Sequence, residues 1–455
     1  MNLIYEPIIG LEVHVELNTK TKMFCRCSAE YFGKDPNTHT CPVCLGLPGA
    51  LPYTNKAAIE GCMKIGLALN CTVSEKSLFE RKNYFYPDLS KGYQISQYRW
   101  PLCVNGWVEV EDPHGNSKKI RINRAHQEED TGKLTHRGSE TLIDFNRCGL
   151  PLVEIVTEPD FKDVEEVRDY AKKLQQLFRY LGVSNADMER GDMRLEANVS
   201  VRLPGQKELP NYRVELKNIN SFRFMVAAIE YEIKRQIAAL EKGEKLSQET
   251  RGWNADKKCT YLQRSKEEAH DYRYFPEPDI PEISYQSSDI SLQTIKDQMP
   301  ELPWDKQKRF VSEFKLIQSQ AKILTESKEL AAYFEMAIKH GKEHGVEAVS
   351  IANYLINTKI NIEEILIAQL IDNIKGKKAG IIGDEGELEK LAQQAIDENP
   401  KVVQDYKQSL PPPIGEGKKG KASAINVLIG AVMRISGGKA DVSLVKPILE
   451  NLLKE

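Results

Sequence analysis

The chain has 455 residues, room for roughly two to four domains, and its 41% hydrophobic and 28% charged content is ordinary for a globular protein. Its 63 Lys and Arg nearly balance 66 Asp and Glu, a net charge of −3. That balance excludes a histone-like polycation or an acidic tail protein, though not a basic patch on one lobe.

From the N-terminus, the first 19 residues contain no Lys or Arg, so no signal-peptide n-region is expected. Alternation begins at once: Ile9, Leu11, Val13, Val15 and Leu17 share one face of a strand, and Gly10, Glu12, His14 and Glu16 share the other. An amphipathic helix follows through Val164, Val167, Tyr170, Ala171, Leu174, Leu177, Phe178 and Leu181, with Gly182 as its stop. Residues 193–203 alternate again, with Arg194, Glu196, Asn198, Ser200 and Arg202 on the polar side. Tyr212, Val214 and Leu216 mark a shorter strand, opposed by Arg213, Glu215 and Lys217, that could pair with it. A second helix is expected over about 221–243, through Val226, Ile229, Ile233, Ile237 and Leu240. Pro276, Pro278 and Pro281 punctuate a linker or strapping loop over 276–290. Beyond it the pattern is helical, from Phe310, Phe314, Leu316 and Ile317 to Leu366, Leu370 and Ile371, and Gly376, Gly380 and Gly383 are expected to break it. A last helical lobe is split by Pro411, Pro412, Pro413 and a Gly/Lys run, and no repeat at solenoid periods is present. The longest weakly polar stretch, 422–433, falls short of the ~18 residues of a membrane span, so a cytoplasmic protein with reduced or metal-bound cysteines is expected.

Four of the nine cysteines fall within twenty residues as Cys25-x-Cys27 and Cys41-x-x-Cys44. Two close pairs separated by a loop suit tetrahedral thiolate coordination of zinc, with no position left for catalysis. Cys62, Cys71, Cys103, Cys148 and Cys259 are isolated and are expected to serve as small buried hydrophobes. Glu12 and His14, two apart on one strand, project a carboxylate and an imidazole the same way. Alone they fit a solvated strand face as well as a cation site. Glu154, inside the apolar run 150–156, and the cluster Glu128, Glu129 and Asp130 add hard oxygen ligands of the kind that suit Mg2+. Arg81-Lys-Asn-Tyr-Phe-Tyr-Pro-Asp88 and Asp271-Tyr-Arg-Tyr-Phe-Pro-Glu-Pro278 interleave cations with aromatic rings. They fit phosphate and base contacts, or equally a packed aromatic loop with snorkelling cations. The run 415–421 has P-loop spacing, but Ala422 replaces the magnesium-binding hydroxyl and no strand precedes it, so it reads as a basic tether.

The segments Ile9–Leu17, Lys82–Asp88, Tyr93-Gln-Ile-Ser-Gln97, Glu215-Leu-Lys-Asn218, Asn220-Ser-Phe222 and Asp271–Asp279 together resemble the B-subunit family of bacterial glutamyl-/aspartyl-tRNA amidotransferases over nearly the whole chain. The resemblance implies an α+β fold: a mixed-sheet, cradle-like catalytic domain with a zinc-binding loop over 1–290, an all-helical domain over 291–376, and a small helical tRNA-binding tail domain over 377–455. It implies an ATP-dependent carbon–nitrogen ligase using glutamine as amide donor. The side-chain carboxylate of Glu-tRNA(Gln) or Asp-tRNA(Asn) is phosphorylated, then amidated by ammonia to Gln-tRNA(Gln) or Asn-tRNA(Asn). By the same resemblance Glu12, His14, Glu129 and Glu154 surround Mg2+, with Glu128 the alternative to Glu129, and Lys82 stands at the reacting group. Zinc (Zn2+) is structural. Ammonia comes from a glutaminase A subunit, and a C subunit completes a heterotrimer; no candidate glutaminase nucleophile is found in this chain.

Two other readings compete. A zinc-stabilised RNA-binding scaffold accounts for the cysteine pairs but leaves Glu154 and the Glu12/His14 pair without a task. The archaeal-type paralogue would carry an inserted synthetase-like domain, for which 455 residues leave little room. The region 370–385 and the Pro411–Lys421 tether depart from the family pattern. Charge is also divided: the last 55 residues hold nine Lys/Arg against five Asp/Glu, the first 400 hold 54 against 61.

Overall fold

The computed structural model describes residues 5–265, 271–284, 290–358, 360–379, 384–408, 419–437 and 440–453. The strands are β1 (Glu6–Glu16), β2 (Thr72–Val73), β3 (Lys76–Ser77), β4 (Glu80–Asn83), β5 (Tyr93–Ser96), β6 (Cys103–Glu111), β7 (Ser117–Glu129), β8 (Lys133–Arg137), β9 (Glu140–Asp144), β10 (Pro151–Thr157), β11 (Met193–Arg202), β12 (Val214–Ile219), β13 (Glu249–Asn254), β14 (Cys259–Ser265), β15 (Phe275–Pro276) and β16 (Ile283–Ser284). The helices are α1 (Lys56–Ala68), α2 (Val164–Leu181), α3 (Phe222–Glu241), α4 (Leu292–Asp297), α5 (Pro303–Phe314), α6 (Gln318–Leu324), α7 (Lys328–Glu343), α8 (Ala348–Thr358), α9 (Ile367–Ala379), α10 (Glu385–Glu398), α11 (Pro400–Gln408), α12 (Lys419–Ile435) and α13 (Val442–Leu452). The architecture is α+β, and among the described residues no helix is long and apolar enough to cross a membrane.

Nine strands form one sheet in the order β14-β13-β12-β11-β1-β10-β7-β6-β2. The sheet is mixed, because β12 and β13 run parallel while its other neighbours are antiparallel. Period-2 alternation gives it two unlike faces. Ile9, Leu11, Val13 and Val15 of β1 are fully buried in a core with Leu174, Leu177 and Phe178 of α2 and Ala228 and Ile229 of α3. The opposite face carries the ionisable residues.

The two long helices lie where the sequence places them. Asp163 caps α2 by accepting from the Glu165 amide, and Gly182 ends it at φ 68°, a left-handed conformation glycine adopts without Cβ strain. Ser221 caps α3 by accepting from the Phe224 amide. The Pro-punctuated segment is more ordered than a linker: β15 pairs with β4 and β16 with β3, strapping this part of the chain onto the body.

The chain divides into two compact units, Met1–Gln307 with Glu326–Lys328, and Lys308–Thr325 with Glu329–Glu455. The second is helical and holds two hydrophobic clusters, one around Phe310, Phe334 and Ile371, the other around Leu388, Leu428 and Leu449. One expectation is corrected here. Gly376 lies within α9 rather than breaking it, because the helix continues to Ala379. Gly380, Gly383 and the run from Pro411 to Lys418 lie outside the described residues, and α12 begins at Lys419.

A tight backbone approach tests this packing. A Cβ on Gly106 of β6 would stand 2.3 Å from Cys71 Sγ and 2.5 Å from the Leu69 carbonyl oxygen, which cannot yield. Gly106→Ala should destabilise the first unit by about 1–3 kcal/mol. Gly430→Ala, in helix α12 with nothing within 4 Å of the new methyl, should instead gain about 0.5–1 kcal/mol. Thermal melts of both variants measure the contrast.

Candidate active site and cysteine cluster

Strand register assembles the site. In β1, His14 faces Glu154 of β10 and Arg194 of β11, while Glu12 faces Glu196 of β11. Glu154 in turn faces His126 of β7, Leu152 faces Glu128, and Asn198 faces Glu215 of β12. Residues at matched or twice-removed positions share a face, so five strands deliver their ionisable side chains to one surface. That surface floors a cleft of about 730 Å³, whose walls include Lys82 and Tyr84 from the β4 edge and Tyr272 and Tyr274 from the segment just before β15.

Two acidic groups stand on the floor. Glu12, Glu196 and Glu215 bring carboxylate oxygens within 4.8 Å of one another, and His14, Glu128 and Glu154 do the same with an imidazole nitrogen and two carboxylates. Their charge balance differs. Around the second group His14 Nε2 and His126 Nε2 each lie 3.5 Å from Glu154, Arg124 lies 3.7 Å from it, and Lys82 Nζ lies 3.8 Å from Glu128. Ser96 donates to Glu128 at 2.6 Å and Gln94 at 3.1 Å. Burial works against charged Glu128, yet Lys82 and His126 outweigh it and hold its pKa at about 2. Glu154 is likewise held well below the usual range, because His126 and His14 outweigh its burial. Burial also opposes the His14 imidazolium, but the hydrogen bond and charge of Glu154 overcome it and lift the pKa to about 8. Lys82 is lifted well above its ordinary value by Glu128, against its burial.

The first group has less compensation. Lys217 lies 2.8 Å from Glu196 and 3.3 Å from Glu215, and among the described residues Glu12 accepts a neutral hydrogen bond from Asn198 at 2.9 Å. Burial raises the Glu12 pKa, and the charges of Glu154 and Glu196 raise it further. Three clustered carboxylates beside one ammonium form a hard-oxygen donor set with excess negative charge, which fits a divalent cation such as Mg2+.

The expected ligand set is therefore divided. His14 and Glu154 come together, Glu12 belongs to the adjoining group, and Lys82 reaches Glu128. Glu129 is a correction: consecutive strand residues point to opposite faces, and its carboxylate turns away from the cleft to accept from Lys91 Nζ at 2.6 Å and the Ile95 amide at 2.9 Å. Glu128 is the one of the pair whose carboxylate joins His14 and Glu154. Glu196, Glu215, Lys217, Arg124 and His126 were not anticipated as site residues. Alternation had put Glu196, Glu215 and Lys217 on polar faces, but only the register shows that those faces meet.

The four cysteines of the two pairs also converge, with their Sγ atoms all within 4.8 Å of one another and Cys41 Sγ 3.8 Å from Cys44 Sγ. Tetrahedral zinc at ~2.3 Å from each sulfur requires sulfur separations of about 3.8 Å, so this donor set fits. The hydrogen bond from Cys25 comes first in pulling the Cys44 thiol down to about 5, with the Lys22 charge assisting. Cys62, Cys71, Cys103 and Cys148 are buried as expected, and Cys259 is half-buried.

Residues 7–291 match the family described as the GatB/GatE catalytic domain, and residues 350–453 match the GatB domain. The chain is 43% identical over 493 residues to the B subunit of the aspartyl/glutamyl-tRNA(Asn/Gln) amidotransferase of Thermotoga petrophila, covering 99% of each. It is similar to the same protein of Persephonella marina, at 43% over 491 residues, with 99% of this chain and 100% of the relative covered. The Caldicellulosiruptor saccharolyticus counterpart is 44% identical over 493 residues, again with 99% of each covered. These spans exceed the 455 residues of this chain, so the relatives hold segments that it lacks.

The raised His14 pKa has a consequence for stability. A group whose pKa is higher folded than unfolded stabilises the fold fully below the unfolded value, ordinarily 6.5, and loses that contribution as pH rises through the folded value of about 8. The melting temperature of chelator-treated wild-type protein should therefore fall between pH 6.5 and 8. His14→Asn should flatten that decline, as followed by circular dichroism.

Proposed function

The chain belongs to the GatB/GatE family as an amidotransferase B subunit, and on that premise we propose that its cleft activates the side-chain carboxylate of a misacylated tRNA for amidation. The enzyme is a glutamine-hydrolysing ligase of tRNA-dependent transamidation, working with further subunits and tRNA. The finer reading has ATP phosphorylate Glu-tRNA(Gln) or Asp-tRNA(Asn) here. Ammonia from a glutaminase A subunit then displaces phosphate, and a small C subunit completes a cytoplasmic heterotrimer. A free carboxylate cannot be amidated directly, because its leaving group would be oxide; phosphorylation replaces that group with phosphate. The convergence of two acidic groups and Lys82 in one cleft is what supports this chemistry.

The chain's own residues have distinct tasks. Glu12, Glu196 and Glu215 would hold one Mg2+, and His14, Glu128 and Glu154 would hold a second ligand position beside it. Bound Mg2+ would neutralise phosphate oxygens and align the transferring group. Lys82, kept protonated by Glu128, offers a fixed cation to the developing charge on those oxygens. Tyr272, whose ring lies 5.2 Å from Lys82 Nζ, and Tyr274 wall the reacting centre from water. Cys25, Cys27, Cys41 and Cys44 would bind a structural zinc. We assign 1–290 to the catalytic domain, 291–376 to a helical domain and 377–455 to a tRNA-binding tail, whose last 55 residues carry the basic excess.

Glu12→Ala and His14→Ala should abolish tRNA-dependent ATP cleavage while leaving tRNA binding intact; unchanged cleavage in both would overturn the cation-site reading. Glu128 and Glu129 separate two roles. Glu128→Gln should lose activity by ~10²-fold or more and also lower the melting temperature by leaving Lys82 without its charge partner, whereas Glu129→Gln should lower the melting temperature, by leaving Lys91 without its charge partner, with the smaller loss of activity. The chain alone should accept ammonium but not glutamine, and glutamine use without partner subunits would contradict the division of labour. Metal analysis of protein prepared without chelator should find about one zinc per chain.

A further inference from the structure

Lys22 is fully buried, six residues after the catalytic sheet's central strand and just before the first cysteine pair. Long cationic side chains are almost never fully buried unless paired with an anion. Its Nζ donates to the His39 carbonyl at 2.8 Å and the Phe145 carbonyl at 3.4 Å, and lies 3.8 Å from Cys44 Sγ. Among the described residues no carboxylate oxygen forms an ion pair with it. Two carbonyls satisfy donors but carry no net charge. A buried ammonium solvated only by neutral groups is expensive, so its counter-charge must come from the sulfur side.

The cysteine cluster supplies that charge once it holds metal. Four thiolates around a divalent ion leave a net charge of about −2, itself costly beneath a protein surface. The ammonium and the thiolate centre each remove the other's burial cost. We propose that Lys22 is the charge-compensating residue of the Cys25/Cys27/Cys41/Cys44 site, stabilising it as a tetrathiolate and protecting its sulfurs from oxidants and electrophiles. The proposal rests on the zinc reading above and extends it beyond the four ligands. Its chemistry is direct: a nearby cation lowers the energy of sulfur lone pairs, so Cys44 resists protonation and becomes a poorer nucleophile toward the oxidants and electrophiles that would strip it from the metal. The carbonyl contacts add a second consequence. His39 belongs to the loop between the cysteine pairs and Phe145 to the segment entering β10, so one ammonium ties the metal loop to the strand that carries Glu154.

The test compares Lys22→Gln, which keeps a donor but loses the charge, with Lys22→Arg, which keeps both. Full-length proteins are loaded with zinc, and its release under hydrogen peroxide is followed with a chromogenic chelator. Cobalt-loaded samples report the sulfur-to-metal charge-transfer band. Lys22→Gln should release zinc roughly tenfold faster and shift the cobalt band to longer wavelength, while Lys22→Arg stays close to wild type. Failure of Lys22→Gln to retain zinc, with retention by Lys22→Arg, equally supports a need for charge. A folded Lys22→Gln protein with wild-type release rate and spectrum overturns the proposal. So does failure of both variants, which would make lysine's shape the requirement. Wild-type protein that takes up neither zinc nor cobalt would instead overturn the metal site itself.

Discussion

Strand β1 is paired on both edges, with His14 opposite Glu154 on one side and Glu12 opposite Glu196 on the other. The rest of the catalytic unit depends on that register. With it, Ile9, Leu11, Val13 and Val15 enter the core beneath α2 and α3 while Glu12 and His14 enter the cleft. A slip of one residue would exchange the two sets, burying a carboxylate and an imidazole among aliphatic side chains. Such an error would cost both the apolar core and the polar site. A central strand can therefore carry reactive groups without losing its place.

The electrostatics of the floor follow from the same pairing. Placing Glu12, Glu128, Glu154, Glu196 and Glu215 on one face concentrates negative charge where water is scarce, which a fold tolerates only with compensation. Lys82, His14, His126 and Arg124 provide it around Glu128 and Glu154, and Lys217 provides part of it for Glu196 and Glu215. The Glu12 group is left with the larger excess. Neighbouring carboxylates thus respond in opposite directions, Glu12 upward and Glu154 downward, according to which cations stand beside them. A floor that is partly balanced by fixed cations and partly not suits a polyanionic substrate that arrives with divalent cations of its own.

Much of this was legible in the residues. Alternation located β1, β11 and β12, helical spacing located α2 and α3, and Asp163, Gly182 and Ser221 end those helices by ordinary capping chemistry. The two cysteine pairs announced a thiolate cluster because chance seldom brings four like ligands together within twenty residues. What alternation could not supply was which polar face meets which. Glu196 and Glu215 were visible as strand residues, yet their approach to Glu12 depends on pairing across 184 and 203 positions of sequence. Which of Glu128 and Glu129 faces the cleft stayed open in the sequence for a related reason. Both lie at the end of β7 in a run of polar residues, where no apolar alternation marks the inward side. Gly376 misled differently: its helix-breaking tendency is weak enough for α9 to absorb it.

The position of Glu129 explains why adjacent glutamates are useful at that point in the fold. Glu128 faces the cleft and is held by Gln94 and Ser96, while Glu129 faces away and is held by Lys91 and the Ile95 amide. Gln94 also donates to the Glu129 carbonyl at 2.7 Å, so one short segment, 91–96, grips both residues from both sides. Lys91 in turn lies against Gly46, where a Cβ would stand 2.5 Å from its Cγ, in the turn following Cys44. The packed contacts thus run from the cysteine cluster through Lys91 and Glu129 to the backbone that aims Glu128. The cysteine cluster at one end of that chain and the Glu128 carboxylate at the other need not touch to depend on each other. Both are fixed by the same short segment, and whatever loosens the cysteine loop also removes the wall that keeps Lys91 against Glu129.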